Sequence, residues 1–203
     1  MSSDHYFSQE PKSNYQPKEI ELDIAGEVFK VSTASGTFSP LRLDVGTSVL
    51  IDHLELAPKD GNILDLGCGW GPIALNLAKN SPKAKVWAVD VNSRSLELTA
   101  ANAKTVGLTN IQTATPDSVP KDIKFSGIWS NPPIRIGKKE LHELLLSWLP
   151  RLENGASAYL VVQKNLGSDS LQKWLTETLV DGYEVSRLTS VKTYRILKVL
   201  RTS

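Results

Sequence analysis

The sequence is short of the residues that most often announce a site. Among 203 residues there are one cysteine, one methionine and three histidines. The lone cysteine, Cys68, forms no internal disulfide, and no group of His and Cys has the spacing of a zinc site. The charges nearly cancel, with 23 Lys and Arg against 22 Asp and Glu. No global field therefore draws the chain to nucleic acid, and any such surface has to be local. No apolar run approaches the roughly 18–20 residues that cross a bilayer. The first twenty residues, Met1 to Ile20, are polar, contain prolines and lack the apolar core of a secretory signal. The expectation is one cytoplasmic globular unit, with no metal and no membrane.

What is present is a pattern. Residues 1–18 carry Pro11, Pro17, Tyr6, Phe7 and Tyr15 among polar side chains and read as a flexible arm. Residues 19–60 read as a hairpin and a helix. Ile20–Ile24 alternates, Ala25-Gly26-Glu27 breaks the run, and Val28–Val31 resumes it. Gly36–Pro40 is a loop, and an apolar period runs from Asp44 to Leu56. From 61 to 203 strands and helices alternate. Strands are expected at 62–66, 85–90, 110–114, 126–130, 156–163, 183–188 and 194–200, and helices at 72–79, 93–106, 138–152 and 169–179. Pro72 suits a first helical position, Gly107 and Gly182 suit helix ends, and Ser168 or Asp169 can cap a start. Leu171, Trp174, Leu175 and Leu179 share a helix face and belong to the core. Such alternation implies an α/β fold: a Rossmann-like, seven-stranded, mostly parallel sheet. The polar link Thr189–Thr193 makes the last two strands an antiparallel edge hairpin.

Two motifs carry chemistry. Asp65-Leu-Gly67-Cys-Gly69-Trp-Gly71-Pro72 lies between a strand and a helix. Glycines there let backbone turn tightly beside a ligand and a positive helix end. The spacing is G-x-G-x-G, not the dinucleotide G-x-G-x-x-G, which argues against NAD or FAD. Asp90, ending the next strand, suits a nucleoside whose ribose hydroxyls it accepts. The second motif, Asn131-Pro132-Pro133-Ile134, directly follows a strand, beyond the carboxyl ends of the sheet where α/β ligands bind. A planar exocyclic amine is a poor nucleophile because its lone pair is delocalised. The Asn131 oxygen and the Pro132 carbonyl can each accept one N–H and hold the nitrogen toward an electrophile. Pro132 and Pro133 stiffen the turn and remove competing donors. No general base is obligatory, in keeping with histidines (His5, His53, His142) far from both motifs or inside a helix.

Together these stretches resemble the class I S-adenosyl-L-methionine (SAM)-dependent methyltransferases. More narrowly the chain is similar to the methyltransferase small domain family, among them the small-subunit ribosomal RNA guanine-N2 methyltransferases of the C type. His5–Ser8, Gly36-x-Phe38-Ser39, Leu43-Asp44-x-Gly46-Thr47, Ile134-Arg135-x-Gly137-Lys138-Lys139 and Gln163-Lys164 extend the match, with 61–203 as the methyltransferase domain. The resemblance implies that Gly67, Gly69 and Gly71 line the methionine part of SAM, with Asp65 near its amino group. Asp90 would take the ribose and Asp117 the adenine amine. Asn131 and Pro132 would grip the target amine, and Asp44, Gly46 and Thr47 would lie at the pocket mouth. Position 134 is often aromatic in amine methyltransferases; Ile134 offers an apolar face, leaving Phe38, Trp70 or Phe7 to supply a ring. Only Trp70 among the tryptophans is placed to touch a cofactor, and Cys68 reads as packing.

Arg135, Lys138 and Lys139 beside the second motif, and Lys164, suit RNA phosphates. The C-terminal cations Arg187, Lys192, Arg195, Lys198 and Arg201 read instead as protection of a sheet edge. The implied function is N-methylation of guanine N2 in ribosomal RNA, naked or in the small subunit. The alternatives are a protein glutamine methyltransferase and a non-catalytic SAM-binding ribosome-assembly factor; DNA adenine and small-molecule amines are weaker options.

Overall fold

A computed structural model describes residues 15–203; His5, Tyr6, Phe7 and the rest of residues 1–14 lie outside it. The chain opens with a two-stranded hairpin, β1 (Pro17–Ile24) and β2 (Glu27–Ala34). β1 begins at Pro17, within the segment read as an arm. The turn residues Ala25 and Gly26 both have positive φ, 52° and 87°, the geometry whose twist matches two flanking strands. One face of the hairpin, Leu22, Ile24 and Val31, packs on Trp70, Leu75 and Leu98. Trp70 is only 1% exposed. It anchors the hairpin to the sheet domain, so the expectation that it touches a cofactor is incorrect.

A short helix, α1 (Val45–Ile51), follows, and a separate 3-10 turn occupies Leu54–Leu56. The Rossmann-like unit then runs β3 (Asn62–Leu66), α2 (Pro72–Asn80), β4 (Lys85–Val89), α3 (Ser93–Val106), β5 (Ile111–Ala114), β6 (Phe125–Ser130), α4 (Lys138–Trp148), β7 (Leu152–Gln163), α5 (Ser168–Thr178), β8 (Tyr183–Val191) and β9 (Tyr194–Arg201). The sheet order is β5-β4-β3-β6-β7-β9-β8. The first five strands are parallel, and β9 joins β7 and β8 antiparallel.

The central strands are buried on both faces, as in a doubly covered parallel sheet. In β3, Leu64 and Leu66 join a core with α4 and α5, while Ile63 joins the core on the opposite face with α1 and α2. Pro72 opens α2 and Gly107 closes α3 in the left-handed region, both as expected. Two cap expectations fail. Gly167, not Ser168 or Asp169, precedes α5, because both side chains serve the hairpin: Ser168 accepts from Arg195, and Asp169 pairs with Arg187 and Arg195. Gly182 sits in the turn before β8, since α5 has already ended at Leu179.

The sequence of strands reverses direction about β3 and β6. That switch point is where open α/β sheets leave a crevice beyond their carboxyl ends.

Candidate active site

A cavity of about 460 Å³ opens at this switch point. On one side it is bordered by Gly67, Asp90, Val91 and Ser95, and on the other by Asn131, Arg135, Gln163 and Tyr194. Strands lie about 4.8 Å apart, so β6 and Asn131 stand two strand spacings from β4 and two from β9.

The glycine loop forms the first side. Gly67 has φ 79° and a Cβ added there would meet nothing within 4 Å, so bare backbone borders the cavity. The amides of Gly67 and Cys68 both donate to the Val89 carbonyl, at 2.8 and 3.0 Å, which pins the loop to the end of β4. Gly69 and Gly71, expected beside the cofactor, work behind the cavity wall. The Gly69 amide donates to Asp90 Oδ2 at 2.9 Å. A Cβ on Gly71 would lie 2.9 Å from Thr99, so this glycine lets α3 approach. Cys68 is buried and packs on Thr99, and its thiol is pushed well up by burial.

Asp90 holds its place through two backbone donors, Gly69 N to Oδ2 and Asn92 N to Oδ1, each at 2.9 Å. Burial raises its carboxyl above the usual range, opposed by those amides. Each carboxylate oxygen keeps lone-pair capacity beyond its single amide. Two neighbouring hydroxyl donors can therefore be satisfied at once, the pattern of a ribose.

Asp65 does not border the cavity, and the expectation that it meets a ligand amine is corrected. It is fully buried under the loop, where Oδ2 accepts from Ala74 N in the first turn of α2 at 2.9 Å. Desolvation, with a smaller push from Asp90, raises its carboxyl to about 8, so it is mostly protonated at neutral pH. Asp117 stands exposed on the 3-10 turn Pro116–Ser118; its neighbour Pro116, not Asp117, borders the cavity.

The second side is organised around Asn131. Its Nδ2 donates to Asp44 Oδ2 at 2.9 Å and to Thr47 Oγ1 at 3.0 Å. A carboxylate only accepts, so the amide nitrogen must face Asp44, and Oδ1 is left as the end free to take a donor. The same Asp44 oxygen caps α1 by accepting from Thr47 N at 3.0 Å. Asp44 borders the cavity, whereas Thr47 is buried behind it. Their place at the mouth is thus refined: they aim Asn131. The Pro132 carbonyl, expected as a second acceptor, already takes the Ile134 amide at 2.8 Å, which leaves one lone pair. Pro133, Ile134 and Arg135 border the cavity; Lys138 stands exposed at the start of α4 and does not.

Phe38 borders the cavity, and its Cβ lies 3.9 Å from the position of a Cβ on Gly69, which puts it over the glycine loop. Its loop is fixed by Asn92 Nδ2 to Gly36 O and Arg94 to Ser35 O. Neither described histidine reaches the site. His53 contacts the Val49 carbonyl, and His142 stacks on Trp174. Of the C-terminal cations, Arg187 lies on the edge strand β8, whereas Arg195 and Arg201 lie on the interior strand β9; Arg187 and Arg195 hold Asp169, and Arg201 donates to Pro150 O and Leu152 O. Motif reading also missed lining residues such as Val91, Ser95, Leu144 and Leu166, and the aromatic one it missed is Tyr194. Its signal is register: β9 sets it opposite Gln163.

The sheet, the switch-point cavity and the G-x-G-x-G loop with its acid on the next strand define a class I methyltransferase. A profile of the methyltransferase small domain family matches residues 28–198, and the chain belongs to that family. SAM is its methyl donor, and the fully backbone-supported Asp90 fits the nucleoside end of that molecule. The uncharacterized protein YbxB of Bacillus subtilis is 37% identical over 199 residues, covering 97% of this chain and 98% of that protein. The ribosomal RNA small subunit methyltransferase C of Shewanella sediminis is 34% identical over 170 residues, 78% of this chain but 46% of that enzyme. Among solved structures, a T. thermophilus 16S rRNA N2 methyltransferase (RsmC) in complex with AdoMet and guanosine matches with a TM-score of 0.76 and 21% identity. That match covers 95% of this chain and 52% of the other. The chain therefore spans about half the length of the rRNA methyltransferases it matches.

Proposed function

We propose that this chain methylates the N2 amine of guanine in ribosomal RNA, acting in the cytoplasm. The observation that carries the reading is the aimed carboxamide of Asn131, held by Asp44 and Thr47 with Oδ1 free. An oxygen fixed in that way accepts one N–H of a planar amine and localises its lone pair toward an electrophile. Because the oxygen is preorganised, none of that orientation has to be found during the reaction. The remaining lone pair of the Pro132 carbonyl accepts the second N–H. Asp90 takes the ribose of the donor, and the Gly67 backbone lies against its methionine part. SAM bound there supplies an electrophilic methyl group on sulfonium sulfur. Once the amine nitrogen is cationic its proton leaves readily to solvent, and no histidine is among the described residues that border the cavity. The similarity to methyltransferase C supports ribosomal RNA as the substrate class, and Arg135 at the cavity edge suits a nearby phosphate.

The test is transfer of label from methyl-labelled SAM to a lysate of a strain lacking the gene, by wild type and Asn131→Ala. The expected outcome is N2-methylguanosine in ribosomal RNA, with turnover lowered by orders of magnitude in Asn131→Ala and SAM affinity kept within a few-fold. Label in a protein band would instead identify a glutamine amide as acceptor. SAM binding with no transfer to any fraction would mark a non-catalytic assembly factor.

A further inference from the structure

The cavity has two halves about Asn131, and only one of them is accounted for by the donor. The other runs from β6 across β7 to β9 and ends at Gln163 and Tyr194. These two residues are direct partners in the antiparallel register of β7 and β9, which places their Cβ atoms about 4.5–5.5 Å apart on one face. Tyr194 is in turn fixed by α1: a Cβ on Gly46 would lie 2.8 Å from its ring, so glycine at 46 lets helix and ring meet. The chain of contacts Asn131, Asp44, α1, Tyr194 and Gln163 is therefore one continuous wall.

The chemistry of that wall is specific. Among the described residues bordering the cavity, Phe38 and Tyr194 are the two aromatic ones. Phe38 lies over the glycine loop, so Tyr194 is the ring of the second half, where Ile134 supplies an apolar face. The Gln163 side chain is partly buried at the cavity edge and makes no hydrogen bond among the described residues. A carboxamide carries one acceptor and one donor side by side. Next to its N2 amine, guanine presents a ring N–H and then a carbonyl oxygen along the same edge. One strand spacing, about 4.8 Å, separates β6 from β7, comparable to the distance between the two ends of that edge.

Resting on the reading above, we infer that Gln163 and Tyr194 form the recognition wall for the target base. The Gln163 carboxamide pairs with the ring N–H and carbonyl oxygen of guanine while Asn131 holds its amine, and Tyr194 offers its ring as an apolar contact. Adenine presents an acceptor nitrogen and an amine in those places and leaves the amine position beside Asn131 empty. The wall thus selects guanine and sets which nitrogen faces Asn131. Burial and the nearby Asp44 carboxylate push the Tyr194 phenol up, so the ring stays neutral over the working pH range.

The test uses the intact protein with labelled SAM and two acceptors from a strain lacking the gene, deproteinised ribosomal RNA and small subunits. Gln163→Ala, Gln163→Glu, Tyr194→Leu and Tyr194→Phe are compared for kcat/KM toward RNA and, by calorimetry, for SAM affinity. Gln163→Glu keeps the size but cannot donate, so it should fall with Gln163→Ala, each losing at least tenfold in kcat/KM. Tyr194→Leu should lose more than Tyr194→Phe. SAM affinity should stay within twofold throughout, which a merely structural role would not produce. RNA transfer unchanged in the Gln163 variants, or SAM affinity falling in parallel with it, overturns the inference alone. Failure of the wild type to label any RNA overturns the ribosomal reading and the inference together.

Discussion

The two halves of the cavity are built by different means. Around Asp90 the supports are backbone: amides of Gly67, Cys68 and Gly69 from the glycine loop, and of Asn92, close on Val89 and Asp90 at the end of the neighbouring strand. Around Asn131 the supports are side chains from distant segments, with Asp44 and Thr47 lying 87 and 84 residues away along the chain. A half in which backbone amides fix the one binding carboxylate keeps its geometry when other side chains nearby change, which suits a donor shared by many reactions. A half made of side chains can be retuned by substitution, which suits an acceptor that differs between enzymes.

Three substitutions would break or sharpen that contrast. The largest effect is expected from Asp90→Ala, which removes two charge-assisted acceptors and strands two backbone amides. SAM affinity by calorimetry should fall by about 100-fold or more, since hydrogen bonds to charged groups contribute about 1.5–3 kcal/mol each. Asp44→Ala should do the converse. With its anchoring acceptor gone, the Asn131 amide is free to turn, and turnover should drop about tenfold at unchanged SAM affinity. The lost helix cap costs about 1 kcal/mol in a denaturant melt. Equal losses of affinity in both variants would show that the two halves are not separable.

The smallest effect is a matter of pH. Buried Asp65 binds its proton up to about pH 8 in the folded chain, against 3.8 for the ordinary carboxyl. Between those values the folded state holds the extra proton, so stability is greatest at the acid end and declines as pH rises toward 8. For one proton the slope reaches about 1.4 kcal/mol per pH unit. Asp65→Asn should remove this component, flattening urea midpoints measured from pH 5 to 8 while leaving SAM affinity largely intact.

The same contrast explains what was legible in the sequence. The glycine loop, Asp90 and the Asn131 turn are contiguous or lie at strand ends, so local spacing exposes them. The nine strands of the described residues follow from runs of β-branched and aromatic residues between breakers, and β3 and α3 fall on their expected bounds. What the pattern hides is direction and partnership. Asp65 and Gly71 sit in the loop motif yet face the core, because a strand and loop turn successive residues to opposite sides. Trp70 looks like a ligand contact by position but is claimed by the hairpin that folds over it. Tyr194 carries no motif at all; only the β7–β9 register brings it opposite Gln163.

One oxygen of Asp44 serves two masters, capping α1 through Thr47 N and fixing Asn131. Fraying of the first turn of α1 is therefore also a release of the carboxamide. Helix ends open far more readily than a global unfolding would allow, so each opening of that turn is expected to idle the site. Slow exchange of the Thr47 amide would report how seldom the turn opens, and its rate would set a ceiling on the fraction of molecules ready to react.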